Sequence, residues 1–198
     1  MLAIISPSKL MDFKRTTFLN EYTLPTHMDE ARRIMQELKK YSVKEVAQTM
    51  RINDKLAAEN FDRYQLWHDK FNLDNAKQAI LAYKGEVFNG LEAWSLDEKE
   101  LVYAQDHLRI FSGLFGSLKP LDLIQPYRLE MQAKVQVDNH KDLYSYWGNI
   151  IHQDIEKHLY TINSDILINL ASKEYYRTIA FKNMDARVIQ INFKQLKN

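Results

Sequence analysis

Residues 166–175 read Ile166-Leu167-Ile168-Asn169-Leu170-Ala171-Ser172-Lys173-Glu174-Tyr175. The first five form the clearest strand pattern in the chain. The run then meets Ser172, which can cap a short helix. Residues 2–9 end in a similar way: Leu2 to Ser6 is a short apolar run, closed by Pro7 and followed by Ser8 and Lys9. Both runs read as buried strands that end in Ser and Lys. In open α/β sheets, ligands gather outside the carboxyl ends of such strands. A helix beginning at Ser172 would also offer free N–H groups to an anion. The alternative is that Ser172 is only an N-cap.

Helical patterns fill most of the chain between these strands. Met28, Ala31, Met35, Leu38 and Tyr41 fall on one helical face. Ser42 and Glu45 have capping-box spacing ahead of Val43, Val46, Ala47 and Met50. Asn53 can cap a third helix with the stripe Leu56, Asn60, Tyr64, Trp67 and Phe71. Ala79 to Tyr83 reads as a strand, or as a short helix, running into a turn at Gly85. Ser95 and Glu98 predict another capped helix, with Leu101, Ala104, Leu108 and Phe111 inward and its end at Gly113. Tyr127 to Val137 reads as extended, Leu143 to Tyr160 as one helix and Arg187 to Phe193 as a final strand.

With 198 residues, 45% of them hydrophobic, the chain supports one sizeable core, and no linker divides residues 1–198. The fold class is therefore α+β: a single compact domain with a mixed sheet, surrounding helices and a polar cleft. The net charge of +1 is neutral on nucleic-acid binding, so any such site needs local clustering of Lys and Arg. The absence of cysteine excludes disulfides, thiolate metal sites and a Cys nucleophile, and suits a reducing cytoplasm. The first residues carry no signal-peptide pattern, and no uncharged apolar stretch is long enough for a membrane span. Metal binding is not expected: His152 and Glu156 are spaced i,i+4, but no third ligand is evident. No cofactor motif is present.

Several stretches can carry chemistry. In Gly113-Leu114-Phe115-Gly116, followed by Lys119, two readings stay open. One is a helix C-cap and turn. The other is a helix–hairpin–helix element whose backbone amides grip phosphates. Within Gln125-Pro126-Tyr127-Arg128-Leu129-Glu130, Arg128 and Glu130 would share a face at period two. Arg128 can hold a phosphate or carboxylate, and Glu130 can act as a base if buried. Lys55 opens a helix and Lys84 sits beside a turn glycine; both read equally as solvated charges.

Taken together, ISPSK, MRINDKLA, QAILAYKGEVFNGL, HLRIFSGLFGSLKPLDLIQPYRLEM, DLYSYWG and INLASKEY resemble the successive blocks of the YaaA family of bacterial peroxide-stress proteins, from Met1 to about Ile191. The resemblance implies an α+β body with a basic cleft and a helix–hairpin–helix-like element. It implies binding of double-stranded or branched DNA, and a cytoplasmic role in limiting iron-linked peroxide damage. It also implies that Ser6, Lys9, Lys55, Lys84, Gly85, Tyr127, Arg128, Glu130, Asn169, Ser172, Glu174 and Tyr175 line the cleft. Ser112, Gly113, Gly116, Leu118, Lys119 and Pro120 are then the hairpin residues. Family members continue with a further basic block, whereas this sequence ends at Lys197-Asn198. An enzymatic alternative uses the same cleft. Glu130 or Glu174 would be the base, Lys9 or Lys84 the electrophilic partner, and Asn169 an oxyanion donor. Its substrate would be a damaged nucleotide or a small phosphorylated molecule.

Overall fold

The apolar run at the start of the chain becomes β1 (Leu2–Ile5), the middle strand of the main sheet. The computed structural model describes residues 1–14 and 19–191. In chain order, β2 (Leu10–Met11) is followed by helices α1 (Met28–Leu38), α2 (Val43–Met50) and α3 (Asp54–Leu66). Next come β3 (Lys77–Gln78), α4 (Ala79–Ala82), β4 (Tyr83–Lys84), α5 (Glu86–Leu91) and α6 (Glu98–His107). Strands β5 (Leu108–Ser112), β6 (Gly116–Leu118) and β7 (Leu123–Ile124) precede α7 (Leu143–Trp147) and α8 (Ile150–Thr161). The described chain closes with β8 (Ile166–Asn169), α9 (Lys173–Tyr176) and β9 (Arg187–Gln190). The last strand was expected to reach Phe193, which lies outside the described residues.

The main sheet has the order β6-β5-β1-β8-β9. Strand β1 runs parallel to both β5 and β8, β9 runs parallel to β8, and β6 returns antiparallel on β5. The sheet is therefore mixed, as expected. Local signals account for the first helices. Ala31, Ile34, Met35 and Leu38 form the buried stripe of α1. Ser42 and Glu45 complete both halves of a capping box on α2, and the Asn53 side chain accepts the Leu56 N–H at 2.9 Å.

Several elements depart from the periodicity. The helix expected to reach Gly113 stops at His107, and its capping box is Asp97 with Glu100 rather than Ser95 with Glu98. Residues 108–112 pair with β1 instead, because this buries Ile110 and Phe111 inside the sheet. Ala79–Ala82 forms a single helical turn between two very short strands. The helix expected over 143–160 breaks at Gly148, whose φ is +43°. From Leu129 to Val137 no strand forms. The backbone nonetheless places Leu129, Met131, Ala133, Val135 and Val137 inward and Gln132, Lys134 and Gln136 outward.

The glycine hairpin is a correction. Gly113 lies in the tight connection between β5 and β6, and Gly116 begins β6, so a β-hairpin stands where both readings placed the end of a helix. The Ser112 hydroxyl accepts the N–H groups of Leu114 (3.1 Å) and Phe115 (3.0 Å). The Gly113 carbonyl accepts the Trp147 indole N–H at 3.0 Å. Those two amides are thus satisfied inside the protein and have nothing to offer a phosphate. The Lys119 N–H is likewise donated to Asp122 at 2.7 Å. Leu118 and Pro120 are buried with the hairpin. A short connection between helices is found instead at α2 and α3, joined by residues 51–53.

Asp122 illustrates the cost of this packing. Its carboxylate is fully buried and accepts the Thr23 hydroxyl at 2.5 Å besides the Lys119 N–H. Burial pushes its pKa from 3.8 up to about 6. A raised acid binds its proton more tightly when folded, so its contribution to stability falls as pH rises from near 4 to near 6. Asp122→Asn removes this titration. Urea melts across this pH range are expected to show the wild-type-minus-variant stability falling by roughly 3 kcal/mol. A difference that does not change with pH would rule the assignment out.

Candidate functional site

The strand order creates the site. The chain leaving β1 next joins the sheet at β5 on one side, whereas the chain leaving β8 joins at β9 on the other. Between the carboxyl ends of β1 and β8 the connections diverge, which opens a crevice where ligands of open sheets bind. A cleft of about 640 Å³ occupies that place. It is walled by residues 6–9, 127–130 and 170–176, with Val87 and the end of β9 at Gln190 and Ile191.

The two Ser-Lys strand ends meet across this crevice. The Ser6 hydroxyl accepts the Ser172 N–H at 2.9 Å and donates to the Ser172 hydroxyl at 3.2 Å. Ser172 stands at the N-cap position of α9, but its side chain bonds Ser6 and not the helix amides. Asn169, at the end of β8, is buried outside the cleft lining. Its side-chain oxygen accepts the Ala171 N–H at 3.0 Å, so it fastens the strand end.

Charge concentrates on Glu130. One of its oxygens takes both the Lys9 ammonium at 3.2 Å and the Arg128 guanidinium at 2.9 Å. Among the described residues, Arg128 Nε is buried without a hydrogen-bond partner. The loop carrying Arg128 is held from below: the Tyr64 hydroxyl donates to the Arg128 carbonyl. The Tyr127 hydroxyl lies between Ser112 (2.6 Å) and Tyr83 (2.5 Å). Because Ser112 already accepts two amides, it donates to Tyr127, and the Tyr127 and Tyr83 hydroxyls share a further hydrogen bond. Burial pushes the Tyr127 phenol up to about 12, so it is a neutral supporting group at physiological pH.

Glu174 faces the same cleft. Its carboxylate accepts the Gln132 N–H at 3.3 Å, and its carbonyl accepts the Tyr144 hydroxyl at 2.8 Å. Burial raises its pKa, the Gln132 amide opposes this, and the neighbouring Glu130 adds to it. Burial also raises the pKa of the Tyr175 phenol behind it.

A family model described as peroxide stress protein YaaA matches residues 1–198. The chain belongs to that family. Of the residues expected in the YaaA cleft, Ser6, Lys9, Tyr127, Arg128, Glu130, Ser172, Glu174 and Tyr175 do line it. Lys55 and Lys84 do not. Lys55 is exposed in the first turn of α3, and Lys84 is exposed on β4, opposite Leu10. Gly85 is also outside the lining; its φ is +136°, and a Cβ there would come within 3.0 Å of the Ser8 hydroxyl. Ser8, Lys173, Tyr176 and Gln190 line the cleft without having been singled out. Ser8 and Lys173 were readable as members of the two strand ends. Gln190 was not, because only the pairing of β9 with β8 brings it there.

Among the described residues, no group of three or more His, Asp or Glu side chains could hold a metal ion. No helix among them is long and apolar enough to cross a membrane.

Proposed function

We propose that this YaaA-family chain acts in the peroxide stress response by holding a DNA phosphate in the cleft, shielding the strand from iron-driven damage. One observation carries the reading: Lys9 and Arg128 converge on a single carboxylate oxygen of Glu130. That oxygen occupies the place an incoming phosphate oxygen would take. A phosphate can replace it, because guanidinium and ammonium donors bind phosphate with strong charge-assisted hydrogen bonds. The partnerless Arg128 Nε supplies a further donor. The Ser6 and Ser172 hydroxyls belong to residues that line the same cleft.

A second reading rests on Glu174. A carboxyl raised by burial beside another carboxylate is suited to proton donation. The cleft would then act on a damaged nucleotide or a small phosphorylated compound.

One experiment addresses both readings. Fluorescently labelled linear and branched duplexes are titrated with the full chain over a range of salt, and the recovered DNA is then analysed. Binding should weaken with salt, with a log–log slope of about −0.9 for each phosphate held. Lys9→Ala is expected to reduce that slope by about one such unit. Salt-independent or undetectable binding would overturn the proposal. Intact recovered DNA fits holding alone, whereas breakdown that Glu174→Gln abolishes would replace it with the catalytic reading.

A further inference from the structure

Glu130 borders two cavities. In the cleft, one of its carboxylate oxygens holds Lys9 and Arg128. The same residue also lines a smaller pocket of about 140 Å³, between the end of α2 and residues 132–134. Two cations, Arg51 and Lys134, line that pocket, and both are exposed. Among the described residues neither makes an ion pair. The backbone at Glu130 is fixed between the two cavities. Leu129 and Met131 are buried on either side of it, and the Glu130 carbonyl accepts the Ala133 N–H at 3.0 Å. A change of partner for the carboxylate therefore needs only rotation about the side-chain bonds of Glu130.

The charges favour such a change when an anion enters the cleft. A phosphate that takes Lys9 and Arg128 leaves the Glu130 carboxylate beside it without a partner. That state is costly for a carboxylate whose side chain is 9% exposed. Glu174, which faces the same cleft, repels Glu130 as a like charge. On the far side stand two cations with no carboxylate partner. The carboxyl end of α2 offsets them by only about half a charge.

We propose that Glu130 is a latch on the cleft: it closes the site by occupying Lys9 and Arg128, and it opens the site by turning to Arg51 and Lys134 when a phosphate arrives. This rests on the phosphate reading of the cleft and adds the regulation of that site. In the closed state the protein's own carboxylate competes with every incoming anion, so the apparent affinity is reduced by the fraction of molecules that are open. Arg51 and Lys134 set that fraction without touching the ligand. Glu130, although it lies in the cleft, then opposes binding.

The test is calorimetric titration with thymidine monophosphate of four full-length proteins: the wild type, Glu130→Gln, the double variant Arg51→Asn/Lys134→Gln, and all three changes combined. Asparagine is chosen at position 51 because it tolerates the left-handed backbone there, where φ is +53°. Glu130→Gln is expected to bind about tenfold more tightly than the wild type, because the resident charge no longer competes. The double variant is expected to bind about threefold more weakly, because the open latch loses its partners. In the Glu130→Gln background the same two changes are expected to have no effect. Binding by Glu130→Gln no tighter than by the wild type would overturn the latch. Equal weakening by the double variant in both backgrounds would do the same, since Arg51 and Lys134 would then act on the phosphate directly. The double variant changes only exposed positions, so its comparison with the wild type stands even if Glu130→Gln fails to fold; unchanged affinity there would also overturn the latch. Failure of the wild type and Glu130→Gln alike to bind would overturn the cleft reading itself, and the latch with it.

Discussion

Gly113→Ala is expected to lower stability by about 3 kcal/mol or more. A Cβ at this position would lie 2.6 Å from the Leu129 carbonyl oxygen and 3.2 Å from the carbonyl carbons of Leu129 and Glu130. All three atoms are backbone, so no flexible side-chain tip can swing aside. The hairpin and the segment carrying Arg128 and Glu130 must separate, which also disturbs the Trp147 bond to the Gly113 carbonyl. For a chain of 198 residues this corresponds to a melting temperature lower by roughly 6–12 °C. Gly90→Ala is the internal control. It lies in α5 with nothing within 4 Å of the added carbon, and alanine favours a helix by up to about 1 kcal/mol. Thermal unfolding followed by circular dichroism compares the two. Equal melting temperatures would mean that the close approach at Gly113 is not a constraint.

Arg128→Ala is expected to weaken phosphate binding in the cleft by about a hundredfold, and to cost about 2 kcal/mol of stability as well. Arg128 has a side chain 15% exposed, and its partner Glu130 is 9% exposed. Removing the guanidinium leaves a nearly buried carboxylate with only Lys9, whose side chain is 58% exposed and whose hold is weakened by solvent. The stability cost is therefore below that of breaking a fully buried pair. Arg128→Lys is expected to recover the charge but not the planar fork, giving an intermediate affinity. Calorimetric titration with thymidine monophosphate, alongside urea unfolding, separates the two effects. Unchanged affinity in a folded Arg128→Ala variant would remove Arg128 from the site.

Both predictions depend on contacts whose ingredients the sequence displays unequally. The caps at Ser42 and Asn53 and the stripe of α1 were readable, because each is settled within a few residues. The strands at 2–5 and 166–169 were readable because apolar runs ending in polar residues mark sheet carboxyl edges. Membership of the YaaA family followed from blocks in order along the chain. The error at 108–116 has a physical cause. Leu101, Leu108 and Phe111 fit a helical face, but β1 offers residues 108–110 a parallel neighbour, and the strand formed there buries Ile110 and Phe111 completely. Local preference loses to that gain. The break at Gly148 was visible only as a glycine, which takes a positive φ where α7 ends.

Local pattern, then, was enough to indicate the helices, the two strand ends that border the cleft and the residue types that gather there. It could not say which of the candidate lysines would meet Arg128. Ser6 and Ser172 are 166 residues apart, yet they share hydrogen bonds because β1 and β8 are neighbours in the sheet. Lys9, just beyond β1, reaches Glu130 on the segment packed against Gly113, whereas Lys55 and Lys84 stay outside the cleft lining. Side-chain chemistry is written residue by residue, whereas proximity is set by strand order, which emerges only when distant segments compete to bury their apolar faces together.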